Sequence, residues 1–279
     1  MNELQQRMRS AIVLIIGLLC VVYGLKAAAI WITALLVGYG VFEWLCMQPA
    51  AVARMSALKA VSIALIFLGM SIVYDLSGSD IRQVYQGVML WMPWINMILI
   101  TLVLLYFKCT HSVLSRRWSS HMECVHAMIL MSCFGFSLLE LWRLGPTLLI
   151  WNLSLVGLTD SMAYLIGKRW GRYHCFAPIS PGKTFEGTCG AVIVTMLFAI
   201  ISLPVLHHGG VRFVWQAAIL GGVAAWGAVV GDLWESALKR RCGVKDSGTL
   251  IPGHGGVLDR IDGLIIAVPM MAALWQIWV

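Results

Sequence analysis

The chain has 279 residues, of which 60% are hydrophobic and only 12% charged, and its formal net charge is +7. Soluble domains carry roughly 25% charged residues, so this composition excludes a water-soluble globular domain. The basic excess is therefore read against a bilayer before any nucleic acid is considered.

Apolar runs of about 17–25 residues are long enough to cross a hydrocarbon core about 30 Å thick. In chain order the sequence predicts nine spans, at 10–25, 27–47, 57–75, 88–107, 123–142, 147–167, 187–206, 213–238 and 263–279. The expected fold class is all-α, a polytopic integral membrane protein of about nine transmembrane helices in a single domain over 1–279. Residues 1–145 supply mainly hydrophobic helices, and 146–279 form the catalytic part. Arg7 and Arg9 before the first run, with Ala27, Ala28 and Ala29 behind it, also match the outline of a signal peptide. More spans follow rather than an exported domain, which favours the membrane reading.

Alternating sides from a cytoplasmic N-terminus leaves Lys26, Arg82, Arg143 and Arg212 outside and the other sixteen of the twenty Lys and Arg residues inside. That asymmetry is what the positive-inside rule predicts. The charge of +7 is thus a topology signal. Eight cysteines occur without a C-x-x-C pairing, mostly within apolar spans, and read as small buried hydrophobes.

Polar residues gather in two islands. The first, 168–187, contains Ser180, Lys183, Thr184 and Glu186. Its Gly182-Lys183-Thr184 ends like a P-loop, but Ala177 stands where that motif needs glycine, and no strand precedes it. What remains is a proline-stiffened loop leading into a helix N-terminus, whose unpaired N–H groups suit an anion.

The second island, 236–262, holds five of the twenty basic residues together with Asp246, Asp259 and Asp262. Asp232 and Glu235 lie just upstream, three apart and so on one helix face. On this topology Asp160, Glu186, Asp232, Glu235, Asp259 and Asp262 all gather at the cytoplasmic edge. Ionisable groups inside a membrane cost roughly 2.5–3.5 kcal/mol at a helix centre, so such a cluster calls for a reason. Pairing with interfacial Lys and Arg accounts for Asp246 or Glu186 about as well as a ligand does. Several hard oxygen donors at one depth, without a His or Cys set, point to magnesium rather than zinc. His254 lies between glycines, which let backbone approach a ligand closely. In the N-terminal half, Glu43 is the main polar residue at depth.

The run Ser236-x-x-Lys239-Arg240-x4-Lys245-Asp246-Ser247-Gly248-x-x-Ile251-Pro252-Gly253-His254-Gly255-Gly256-x-x-Asp259-Arg260-Ile261-Asp262 resembles the signature of CDP-diacylglycerol synthases (phosphatidate cytidylyltransferases). Asp160-Ser-Met-Ala-Tyr164 and Ser180-Pro-Gly-Lys-Thr-Phe-Glu-Gly187 resemble the same family, and Phe42-Glu43-Trp44 resembles an N-terminal motif of it more weakly. The specific resemblance covers about residues 150–270. It implies transfer of CMP from CTP to phosphatidic acid, giving CDP-diacylglycerol and pyrophosphate in phospholipid biosynthesis. It implies Mg2+ as cofactor, with a second, monovalent cation such as K+ beside it, and no nucleic-acid partner.

By the same resemblance Asp232 and Asp259 are the metal ligands, and Lys183 and Lys239 act on the departing pyrophosphate. Asp160, Ser180, Thr184, Glu186, Glu235, Lys245, Asp246, His254, Gly255, Gly256 and Arg260 line the substrate site. The expected setting is a bacterial inner membrane, with the site facing the cytoplasm and a homodimer favoured. One departure is Met162, where the family has a small residue; it implies a bulkier wall near Asp160.

Two other classes compete. A transporter would place acids near the midplane and show inverted repeats, whereas these acids lie at one edge and no repeat is visible. A CTP-dependent lipid kinase would share the substrates' chemistry but release CDP.

Overall fold

The computed structural model of the protein describes residues 28–48, 56–76, 120–174, 176–177, 179–207, 213–250 and 255–278, with shorter pieces at 16–17, 19–20, 22–24, 86–88, 90–98 and 100–101. Among the described residues the architecture is all-helical, with no strand. In chain order the helices are α1 (Ala29–Cys46), α2 (Ser56–Leu76), α3 (Ser120–Leu144), α4 (Pro146–Trp170), α5 (Phe185–His207), α6 (Phe213–Cys242) and α7 (Leu258–Trp278).

Six helices among the described residues are long and apolar enough to cross a membrane: Ala29–Cys46, Val125–Leu144, Pro146–Trp170, Phe185–Pro204, Val214–Cys242 and Leu258–Trp278. The apolar stretch Leu58–Ile72 within α2 is shorter. The chain is an integral membrane protein. The expected spans at 10–25 and 88–107 fall only partly among the described residues.

Local chemistry explains the helix ends. Gly145, at φ +125, separates α3 from α4, and Pro146 opens the new helix where its missing N–H costs nothing. α6 ends in Gly243 at φ +72, with Val244 N–H donating to the Lys239 carbonyl (3.0 Å) and Gly243 N–H to that of Arg240 (3.2 Å). This is a Schellman motif, and it needs a residue tolerant of positive φ. Lys239, Arg240 and Arg241 occupy the last turn, where cations complement the helix dipole. The 30 residues of α6 measure about 45 Å at 1.5 Å per residue, so its charged end extends past the hydrocarbon.

Two edges differ from the hydropathy reading. The final helix begins at Leu258, not 263, so Asp259 and Asp262 lie inside α7 rather than before it. The eighth expected span runs on to Cys242 rather than stopping at 238. In both cases polar residues hid the helical turns from an apolar window.

The chain divides into two compact units. One comprises Met1–Val88, Arg117–Leu149 and Lys239–Ile261, the other Met89–Arg116, Ile150–Leu238 and Asp262–Val279. In the first, α1 packs on α2 and α3. Gly38 lies against Ala64, Gly40 against Met131, and Gly135 against Val37 and Phe67. Phe67 and Phe136 meet with ring centroids 4.6 Å apart, and Trp44 meets His126 edge-on.

In the second unit, buried polar pairs tie the helices. Trp151 Nε1 donates to Ser202 Oγ at 2.8 Å, Thr159 and Thr195 share a hydrogen bond of 3.0 Å, and Trp275 Nε1 donates to Asn152 Oδ1 at 3.3 Å. α6 and α7 approach backbone to backbone at Gly227, where a Cβ would come 2.7 Å from Ala267 Cα, and at Gly231, against the Asp262 carbonyl. Trp44, Trp142 and Trp151 are core residues. The described cysteines Cys20, Cys46, Cys133, Cys189 and Cys242 form no disulfide.

Candidate active site

In the second unit the first polar island forms a loop between α4 and α5. Phe185 N–H donates to the Tyr173 carbonyl at 2.8 Å, and the Glu186 carboxylate accepts the N–H groups of Arg172 (3.0 Å) and Tyr173 (3.2 Å). Glu186, expected to face substrate, is thus placed on the loop's own backbone. Thr184 caps α5, its hydroxyl accepting Gly187 N–H at 3.2 Å. Gly167, Gly171 and Gly187 all crowd that threonine: a Cβ on Gly171 would stand 2.6 Å from Thr184 Cγ2. Glycine here serves helix approach.

A cavity of about 210 Å³ opens beside this loop, bordered by Asp160, Tyr164, Ser180, Lys183, Thr184 and Asp232. Asp160 is exposed, and the wall next to it is Ala163 and Tyr164, one turn along the same helix face. Met162 lies half-buried off that face. Lys183 Nζ stands 2.5 Å from Asp232 Oδ2 and 3.5 Å from the Val229 carbonyl, while Ser236 Oγ donates to Asp232 Oδ1 at 3.2 Å.

The close approach at Gly231 lets the acids of two helices converge. Carboxylate oxygens of Asp232, Glu235 and Asp262 lie within 4.8 Å of one another. Magnesium binds oxygen at about 2.0–2.1 Å, so opposite ligands of one ion stand about 4.2 Å apart. Adjacent ligands of such an octahedral ion stand only about 3 Å apart, so the cluster would close by about 1 Å to hold one. Its donors are hard oxygens, the set magnesium takes.

The second island's loop belongs to the first unit. There Asp259 Oδ2 accepts the N–H groups of Ser247 (2.9 Å) and Gly256 (2.8 Å), and Oδ1 accepts from Lys239 Nζ (2.7 Å). The ion pair is buried, with the Asp259 side chain 5% exposed. Gly255, at φ +84, sits where a Cβ would come 2.5 Å from Asp259 Oδ2. Lys245, Asp246 and Arg260 are exposed around this clamp, and Gly256 is buried within it. His254 lies outside the described residues.

Glu43 of α1 joins the same clamp, accepting from Val257 N–H, Leu258 N–H and the Ser247 hydroxyl. Opposed charges, a cavity and clustered carboxylates are the parts that bind polyphosphate with a metal and stabilise phosphoryl charge.

The cytidylyltransferase family model matches residues 5–278 of this sequence. The chain belongs to the cytidylyltransferase family. It is 32% identical over 190 residues to the phosphatidate cytidylyltransferase of Staphylococcus aureus, covering 65% of this chain and 71% of that one. It is 42% identical over 130 residues to the phosphatidate cytidylyltransferase of Haemophilus influenzae, 46% of this chain and 45% of the relative. An uncharacterized Escherichia coli K12 protein, YnbB, is 43% identical over 126 residues, 45% of this chain and 41% of that one. Membership makes this chain a nucleotidyltransferase.

Two residues of this family member's polar clusters stood outside the site set read from sequence. Asp262 lies three residues from Asp259, and its place beside Asp232 and Glu235 depends on how α6 meets α7. Glu43 offered one signal, a lone acid within a span near its C-terminal end, flanked by Phe42 and Trp44.

Proposed function

We propose that the protein is a phosphatidate cytidylyltransferase, joining CTP and phosphatidic acid to give CDP-diacylglycerol and pyrophosphate. The observation that carries this reading is the Lys183–Asp232 pair on a polar cavity at the head of the loop into α5, in a chain of the cytidylyltransferase family. A phosphate oxygen of phosphatidic acid attacks the α-phosphorus of CTP, and the bond from that phosphorus to the bridging oxygen of the β-phosphate breaks. Both reactants are anionic, so charge neutralisation and alignment dominate the catalysis.

Lys183 and Ser180 hold CTP phosphates on the cavity wall, and Lys183 stabilises the pyrophosphate as it leaves. Asp232, with Glu235 and Asp262 beside it, holds magnesium, which when bound shields the phosphate charge and favours in-line geometry. Asp259, the other expected ligand, and Lys239 set the form of the signature loop. The acyl chains stay in the bilayer while CTP arrives from water, which suits a site at helix ends.

The topology that fits the charge asymmetry has nine spans and a cytoplasmic N-terminus in a bacterial inner membrane, with the site facing the cytoplasm. We take a homodimer as the accompanying assembly. The deciding experiment supplies purified protein in detergent with CTP, magnesium and phosphatidic acid. Pyrophosphate and a CMP-linked lipid are expected; CDP and a phosphorylated lipid would show a kinase instead. Labelling of a cysteine placed at Lys245 from the cytoplasmic face alone tests the orientation.

A further inference from the structure

Glu43 sits in the last turn of α1 and is 2% exposed. Val257 N–H donates to its Oε1 at 3.0 Å, Leu258 N–H to Oε2 at 2.7 Å and the Ser247 hydroxyl to Oε2 at 3.2 Å. The first N–H groups of any helix lack partners within it. At the start of α7 side chains meet Gly256 N–H (Asp259 Oδ2), Val257 and Leu258 N–H (Glu43) and Asp259 N–H (Ser247 Oγ, 3.3 Å), while Arg260 N–H donates to the Val257 carbonyl at 2.9 Å. Of the side chains that close this helix end, Glu43 is the one drawn from the N-terminal half of the chain.

The glycines record the same contact. A Cβ on Gly248 would stand 2.6 Å from Glu43 Oε1, and one on Gly256 would stand 2.5 Å from Oε2. These two signature glycines make room for a protein carboxylate. Ser247 then transmits the constraint, since its hydroxyl donates to Glu43 while its N–H donates to Asp259 Oδ2.

We infer that Glu43 is a positioning residue for cytidylyl transfer: from α1 it closes the N-terminus of α7 and, through Ser247, fixes the Asp259–Lys239 clamp. A loop this rich in glycine has many backbone states, and three donors on one carboxylate select one of them. The inference rests on the proposed function only for its kinetic readout.

Two substitutions in the full-length protein test it. Glu43→Gln keeps the volume but has one acceptor oxygen, so its NH2 must face either Val257 N–H or Leu258 N–H, and one donor is stranded. Glu43→Asp keeps two acceptor oxygens on a shorter stem. With CTP, phosphatidic acid and magnesium in detergent, Glu43→Gln is expected to lower kcat about 10–100-fold, the range seen when outer-shell partners are removed, with the KM for CTP nearly unchanged. Glu43→Asp is expected to retain more turnover than Glu43→Gln.

Amide hydrogen exchange in a peptide covering 255–259 is expected to quicken at least about tenfold in Glu43→Gln, because local opening sets that rate. Exchange in α4 and α5 should stay as in the wild type. Wild-type kcat in Glu43→Gln would overturn the inference, as would exchange raised throughout the protein, which marks a general fold defect. Should the wild-type protein make no liponucleotide, the functional reading falls, and the exchange at 255–259 still decides on Glu43: an unchanged rate there overturns the positioning role.

Discussion

Lys183–Asp232 in one unit and Lys239–Asp259 in the other are chemically alike and structurally opposite. The Asp232 side chain is 30% exposed, borders a cavity and meets Lys183 and Ser236, while that of Asp259 is 5% exposed and accepts from Lys239 and two backbone N–H groups. The first pair can exchange its partner for a ligand without stranding a buried group. Such an exchange at the second would strand the Ser247 and Gly256 N–H groups in a part-buried loop. Identity of residue type thus says little about role; the number of protein donors already committed to a carboxylate says more.

Substitution of the two aspartates should separate these roles. Asp259→Asn removes the charge opposite Lys239 and turns an amide toward backbone donors. Breaking one side of a buried ion pair costs about 3–5 kcal/mol, so both thermal stability in detergent and turnover should fall. Unchanged stability would dissolve the distinction drawn between the pairs.

Asp232→Asn is expected to leave stability and insertion near wild type while lowering turnover at least about 100-fold, the scale of losing a preorganised charge partner in a reaction centre. Chelation of magnesium should mimic this loss, and wild-type turnover of the variant at low magnesium would remove Asp232 from the metal site. Lys183→Ala comes next. One charge-assisted bond to phosphate contributes about 1.5–3 kcal/mol, so the KM for CTP should rise about tenfold or more with the melting point held.

The smallest effects come from glycines. Gly256→Ala presses a methyl group on Glu43 and should cost about 1–3 kcal/mol, as overpacking does. Gly182→Ala, exposed with nothing within 4 Å of its built Cβ, should change stability by less than about 0.5 kcal/mol. Equal melting points for these two variants would show that the signature loop is no tighter than the loop before α5.

Much of the helical order was legible in the chain. The expected spans 147–167, 187–206 and 213–238 correspond to Pro146–Trp170, Phe185–His207 and Phe213–Cys242, because apolar length, Pro146 and Gly243 are local signals. The last helix was misjudged at its start, since Asp259, Arg260 and Asp262 look like loop until Glu43 and Ser247 are seen to cap them. The signature loop and the loop before α5 were recognisable as charged, glycine-bearing segments. What each carboxylate touches was not.

By itself the sequence determined a membrane protein, the places where its chain turns polar, and its resemblance to one family, all of which depend on composition and on residues close together in the chain. The tertiary structure alone decided that Glu43 meets Leu258, that Asp262 stands with Asp232 and Glu235, and that Thr184 and Glu186 hold their own loop together. Those outcomes follow from backbone approach, as at Gly231 against the Asp262 carbonyl and Gly256 against Glu43. A glycine in the sequence announces that something comes near; only the packed helices determine what it is.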